Sequence, residues 1–102
     1  MSPRTADYRR RLDELIHTPV RLSVMALLAR SDRVTFGYLR DTVDVSDSLL
    51  SKHMATLERA GYVTVTKGHE GRRPRTWYSL TDRGRRAFLG YRQALRHLLD
   101  SE

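Results

Sequence analysis

Four cations, Lys67, Arg72, Arg73 and Arg75, crowd around Gly68 and Gly71, with Glu70 the one acid among them. Guanidinium and ammonium groups at this density suit a row of phosphates, because they hold their charge at neutral pH and donate several hydrogen bonds each. A solvated turn would mix charge signs evenly, and this segment does not. Just upstream, the stretch Ser46–Ala60 carries Ser46, Ser48, Ser51, Lys52, His53, Thr56 and Arg59, with the small Ala55 between them. Short polar side chains let a backbone approach base edges, a lysine reaches guanine acceptors or a phosphate, and Leu49 suits a thymine methyl. The chemistry on offer is recognition of a polyanion with readable edges, which is double-stranded DNA. The plain alternative for the helix alone is an ordinary amphipathic surface helix.

Reaction chemistry is poorly provided for. The chain has no cysteine, so disulfides, thiolate metal sites and cysteine redox switching are excluded. It has no phosphate-cradling glycine loop and no histidine pair at the i, i+4 spacing of a helical metal site. Ser46, Ser48 and Ser51 cluster, but helix capping and groove contact account for them without catalysis. No enzyme, cofactor or metal is expected.

At 102 residues, the length fits one domain covering 1–102. A net charge of +7 and a sequence pI near 10.5 favour nucleic acid or an anionic membrane surface, without choosing between them. No apolar run approaches the ~20 residues that span a bilayer, and Met1–Asp7 lacks the apolar centre of a signal peptide. A soluble, cytoplasmic protein without a membrane partner is the simplest expectation.

These side chains need elements to position them. Tyr8, Leu12, Leu15 and Ile16 recur at helical spacing and predict a first helix over about 2–16. Thr18 and Pro19 read as the cap and first turn of a second, largely apolar helix carrying Val20, Val24, Leu27 and Leu28. Val34 is expected to form a very short strand pairing with a later hairpin. Thr35 caps a third helix with Phe36, Leu39 and Val43 on one face, and Asp44-Val45 is a turn. Ser46 caps a fourth helix over 46–60, where Leu50, Met54 and Leu57 form a narrow inward stripe and Gly61 suits the left-handed stop. At ~100° per residue, Ser48, Lys52, Ala55 and Arg59 then point away from that stripe, with Ser51 and Thr56 on its shoulders. Two strands follow, 62–67 and 75–80, with a flexible tip over 67–75, and a last helix runs from about 81 to 100. The fold class is mainly α with a small β-hairpin (α+β), in the order helix, helix, helix, helix, hairpin, helix.

The Leu50-Ser51-Lys52-His53-Met54 run, the Leu57-to-Val63 helix exit, and the segment from Lys67-Gly68 through Gly71-Arg72-Arg73-Pro74-Arg75-Thr76-Trp77-Tyr78 to Leu80-Thr81 resemble winged helix-turn-helix transcriptional regulators of the MarR/ArsR type. The likeness is strongest to a subgroup of about a hundred residues, and it also takes in Ile16 to Leu22. The resemblance covers roughly 15–91. It implies a homodimer on a pseudo-palindromic operator, with helix 46–60 in the major groove and the 67–75 loop as the wing, on the backbone or in the minor groove. Ser51 and His53 match polar positions of that subgroup's reading helix, whereas Leu49 stands where the subgroup is often polar.

The terminal helices are expected to dimerise. Phe88, Tyr91, Leu95 and Leu98 are spaced 3, 4 and 3, a heptad-like seam extended by Leu99, and Tyr8, Leu12 and Leu15 can pack against it. Packing of both stripes onto their own chain's core is the alternative. His97 and Asp100 match half of a metal-sensor pattern at an ArsR-type interface, and the other half is missing. Larger MarR-type proteins hold small ligands between dimer and DNA-binding regions, which implies a small-molecule effector here, of unidentified nature. Trp77 and the tyrosines are either lining for such a pocket, core, or interface. Two readings compete with a specific regulator: a winged-helix module that docks an acidic protein, and a nonspecific architectural DNA binder.

Overall fold

The fourth helix forms where a hydroxyl precedes an apolar stripe. Ser46 Oγ accepts the Leu49 N–H at 3.1 Å, which satisfies one of the four donors a helix start leaves open. The helix, α4, spans Asp47–Arg59. Leu50, Met54 and Leu57 are buried as their spacing requires. In this computed structural model, which describes residues 5–100, it is one of five helices: α1 Thr5–Arg10, α2 Pro19–Ala29, α3 Phe36–Val43, α4, and α5 Asp82–Asp100. Three strands join them: β1 Val34–Thr35, β2 Val63–Glu70 and β3 Arg73–Leu80. The sheet order is β1-β3-β2, antiparallel throughout; the short strand at Val34 pairs with the hairpin as expected, with Val34 opposite Tyr78.

The core lies where α2, α3 and α4 meet the base of the hairpin and α5. Ile16, Val24, Met25, Leu28, Leu39, Tyr62, Val63, Tyr78, Leu80 and Tyr91 share it with the α4 stripe. Thr35 caps α3 by accepting the Tyr38 N–H at 3.1 Å. Asp44, at φ 63°, makes the left-handed turn between α3 and α4, a conformation that Asp tolerates better than most residues. Thr18 occupies the N-cap position of α2, but its side chain makes no capping bond. Its buried Oγ1 has no partner among the described residues.

Two expected elements differ. The first helix was expected over 2–16, and among the described residues it is α1 alone, ending at Arg10; residues 2–4 lie outside those described. The reason is tertiary. Asp13 accepts the Leu15 N–H at 2.9 Å through Oδ1, and its Oδ2 accepts the hydroxyl of Tyr62, brought in from the start of β2. A side chain that bonds its own backbone two residues on makes a turn instead of a helix. The second difference is the tip. Residues 67–75 are not a loop: the ladder continues from Lys67 opposite Thr76 to Glu70 opposite Arg73. Only Gly71 and Arg72 turn the chain, with Gly71 at φ 64° in the first central position, as in tight type II′ hairpins. Gly68 is no hinge; a Cβ there would lie 3.2 Å from the Trp77 ring across the ladder.

α5 is seated tightly against the start of the hairpin. The Thr81 N–H donates to the Tyr62 carbonyl at 3.0 Å, and Thr81 Oγ1 accepts the Gly84 N–H at 2.9 Å. A Cβ on Gly84 would sit 2.1 Å from the Tyr62 carbonyl oxygen, so only glycine allows this approach. The radius of gyration is 15.4 Å and the longest extent 61 Å, against about 13 Å radius for a compact chain of this length. The hairpin and the distal part of α5 project from the core.

Candidate nucleic-acid interface

α4 presents one face to its own core and the opposite face to solvent. Ser46, Ser48, Leu49, Ser51, Lys52 and Arg59 are exposed, while His53, Ala55 and Thr56 are half-buried. Leu49 keeps 41% of its surface accessible. Local bonds order part of this face. Thr56 Oγ1 donates to the Lys52 carbonyl at 3.1 Å, and Arg59 reaches Thr56 Oγ1 at 3.4 Å. Ser46 spends its oxygen on the helix cap and lies 3.4 Å from the Ser48 hydroxyl, so Ser46 serves chiefly to start the helix.

The two flanks of α4 are tethered by arginines from the preceding helices. On the α3 side, Arg40 donates to Asp47 at 3.2 Å and to Asp41 at 2.9 Å. On the α2 side, Arg21 donates through one terminal nitrogen to His53 Nδ1 at 2.9 Å and through Nε to the Leu15 carbonyl at 2.5 Å. Burial, then the Arg21 and Lys52 charges, depress the basicity of His53 below that of an ordinary imidazole. His53 Nδ1 is thus engaged by Arg21 within the chain. Sequence reasoning missed Arg21 altogether. It belongs to a helix read as core, and no local signal marks a contact 32 residues away.

The hairpin carries the second set of cations. Lys67, Arg72 and Arg73 are exposed, and none has an ion pair among the described residues. Arg75 differs, since its Nε donates to Glu70 Oε1 at 3.0 Å. One of the four expected phosphate-seeking groups is thus already matched by the one acid of the tip. Trp77 lies at the base of this arm with the Arg33 guanidinium 4.3 Å from its ring centroid. That stacking stiffens the junction between β1 and β3.

Of the residues expected at a dimer seam, Tyr91 is drawn into its own chain. It is 2% exposed, and its hydroxyl lies 2.7 Å from His17 Nδ1. Leu12, Leu15, Phe88 and Leu95 are partly buried against the same core. Tyr8 stacks on His97 with centroids 5.1 Å apart. Leu99 is 72% exposed and Leu89 53%, so the free apolar surface of α5 is on its outer side and towards its end. Between the 11–13 turn and α5 lies an open cleft of about 460 Å³, lined by Arg11, Asp13, Tyr62, Arg86, Tyr91 and His97 among others. Trp77 is not part of it. Burial and the Asp13 hydrogen bond push the Tyr62 hydroxyl up to about 12, against a lowering by Arg83.

A helix-turn-helix whose second helix is exposed on its polar side, followed by a cationic two-stranded arm, is the arrangement that the family profile described as "Winged helix DNA-binding domain" captures, and that profile matches residues 20–99. The chain belongs to this winged-helix family. It is 31% identical over 78 residues to an uncharacterised protein of Methanocaldococcus jannaschii, covering 76% of this chain and 85% of that one. The structure of a transcriptional regulator homologue from Pyrococcus horikoshii OT3 superposes with a TM-score of 0.83 at 26% identity, over 93% of this chain and 92% of the other. A MarR-family regulator from Enterococcus faecalis V583 shares the fold at 22% identity, with a TM-score of 0.72 over 99% and 89% of the two chains. The winged-helix protein thus has the fold of DNA-binding transcriptional regulators, MarR-type proteins among them. Among the described residues no helix is long and apolar enough to cross a membrane.

Proposed function

We propose that this winged-helix chain, acting as one domain, is a sequence-specific regulator of transcription that binds double-stranded DNA as a homodimer. In this reading α4 enters the major groove of each half-site of a pseudo-palindrome. Ser48, Leu49, Ser51, Lys52, Ala55, Thr56 and Arg59 face the bases, and Lys67, Arg72 and Arg73 follow the backbone or the minor groove. The observation that carries the reading is the pairing of an outward α4 face having no acid at its centre with an arm whose three exposed cations have no ion-pair partner among the described residues. A docking module for an acidic protein has no need of a face of short hydroxyls beside the cations. The dimer reading draws on the exposed Leu89 and Leu99 of a projecting helix, which would set two reading helices about one DNA turn, ~34 Å, apart. The cleft beside Arg11, Arg86 and His97 is our candidate place for a small-molecule effector.

The test is base discrimination. Ser48→Ala and Lys52→Ala should relax preference at particular base pairs, by roughly 1–3 kcal/mol each at the pairs contacted. Uniform weakening across a sequence library in both variants would remove α4 from the reading role.

A further inference from the structure

We propose that Arg21, on α2, is a phosphate ligand in the DNA complex and that His53 is the positioning residue that aims it. The inference rests on the DNA-binding reading above and adds a cation from outside both α4 and the arm. Arg21 is half-buried and fastened at two points, to the Leu15 carbonyl at 2.5 Å and to His53 Nδ1 at 2.9 Å. A guanidinium can only donate, so Nδ1 must accept and the ring proton sits on Nε2. Both acceptors are neutral. No carboxylate lies within ion-pair range of Arg21 among the described residues, and its second terminal nitrogen has no hydrogen-bond partner there.

That combination is unusual for a half-buried charge. Arg40 and Arg75, also half-buried, each hold an acid. A charge taken partly out of water normally brings a counter-charge with it, because desolvation is costly. Arg21 has given up the freedom of a long side chain and part of its hydration while its charge stays unmatched. The arrangement is complete once an anion arrives from outside. Its place indicates which anion. His53 follows Leu49 by one helical turn on the α2 side of α4, and Asp47 with Arg40 marks the opposite border. A duplex seated against Ser48, Lys52, Ala55 and Arg59 runs a phosphate strand along each border of that face. The forked, pre-oriented guanidinium fits a phosphate in two-point contact. The charged groups acting on the His53 ring, Arg21 from α2 and Lys52 from its own helix, are both cations. After burial, the larger cause, they lower the basicity of the ring and so favour its neutral, accepting form.

The experiment measures affinity of the full chain for a mixed-sequence duplex over a salt series, by fluorescence anisotropy. Arg21→Gln should weaken binding by a similar factor on every sequence and flatten the log-affinity against log-salt line by ~0.9. His53→Leu, which removes the acceptor, should flatten it by as much, and adding Arg21→Gln to His53→Leu should cost nothing further. His53→Gln, whose side-chain oxygen can accept from Arg21, should recover most of what His53→Leu loses. A wild-type slope in Arg21→Gln overturns the proposal, as does His53→Gln losing as much as His53→Leu. Melting curves accompany each variant, and if Arg21→Gln fails to fold, the His53 pair decides. Wild-type protein with no salt-dependent DNA binding would overturn the parent reading instead.

Discussion

Removing Arg72 and Arg73 together is the sharpest perturbation of the arm, because both are exposed and neither has an acid partner among the described residues. Each cation that displaces a counterion from B-DNA contributes ~0.9 to the slope of log affinity against log salt. The Arg72→Ala/Arg73→Ala variant should therefore flatten that slope by ~1.8 if each arginine meets one phosphate. Over a fourfold rise in salt, from about 50 to 200 mM, the affinity gap to wild type should close roughly 12-fold. Arg75 supplies the internal contrast. Its Nε already donates to Glu70 at 3.0 Å, so Arg75→Ala should flatten the slope less than either neighbour. Glu70→Gln should do the reverse, removing the one acid of the tip and steepening the slope by up to ~0.9. All of these positions lie away from the core, so melting temperatures should change little. Anisotropy titrations on one duplex at four salt concentrations suffice. A double variant with the wild-type slope and an intact fold would refute the reasoning, and so would a Glu70→Gln variant that flattens the line.

Three further outcomes follow from the packing. Gly84→Ala places a Cβ against the Tyr62 carbonyl, and despite the ~1 kcal/mol that Ala gains over Gly inside a helix it should destabilise by about 1–3 kcal/mol in chemical denaturation; a more stable variant would mean α5 is not seated there. Tyr62, with its hydroxyl pushed up to about 12 from an ordinary 10, contributes stability that is fully present below pH 10 and lost as pH rises towards 12. Tyr62→Phe should reduce that alkaline fall, and denaturation midpoints across this window measure it. Leu99→Asp, at a site 72% exposed, should leave the monomer folded and split the homodimer in sedimentation; an unchanged dimer would locate the interface elsewhere.

What the sequence revealed and what it hid divide along contact range. The α4 stripe was legible because Leu50, Met54 and Leu57 repeat at the period of the helix itself, and Ser46 marks its start within three residues. The short strand at Val34 and its pairing with the hairpin were legible from residue type, whereas its register, opposite Tyr78, was not. The first helix was misjudged because Asp13 bonds the Leu15 N–H and is also engaged by the Tyr62 hydroxyl, a partner no local pattern contains. Gly68 read as part of a flexible tip because glycine is also the residue for loops, whereas here it lies in the ladder and makes room for Trp77. Tyr91 shared a seam with Phe88, Leu95 and Leu98 by spacing, and spacing does not distinguish a chain's own core from its partner's. The outward placing of Ser48, Lys52 and Arg59 on α4 and of Lys67, Arg72 and Arg73 on the arm was legible from spacing, but which polar groups were already occupied was not. The Glu70–Arg75 and Arg21–His53 pairings appear only once the strands and helices are placed.

The central claim is that this basic winged helix reads a specific duplex sequence. Selection of a randomised duplex library on the purified full chain at physiological salt tests it most directly. A palindrome with half-sites about ten base pairs apart should be enriched, bound ~10³-fold or more above random DNA. Retention of DNA without enrichment would contradict the claim in favour of a nonspecific architectural binder, and no retention at all would turn the cationic surface over to an acidic protein partner.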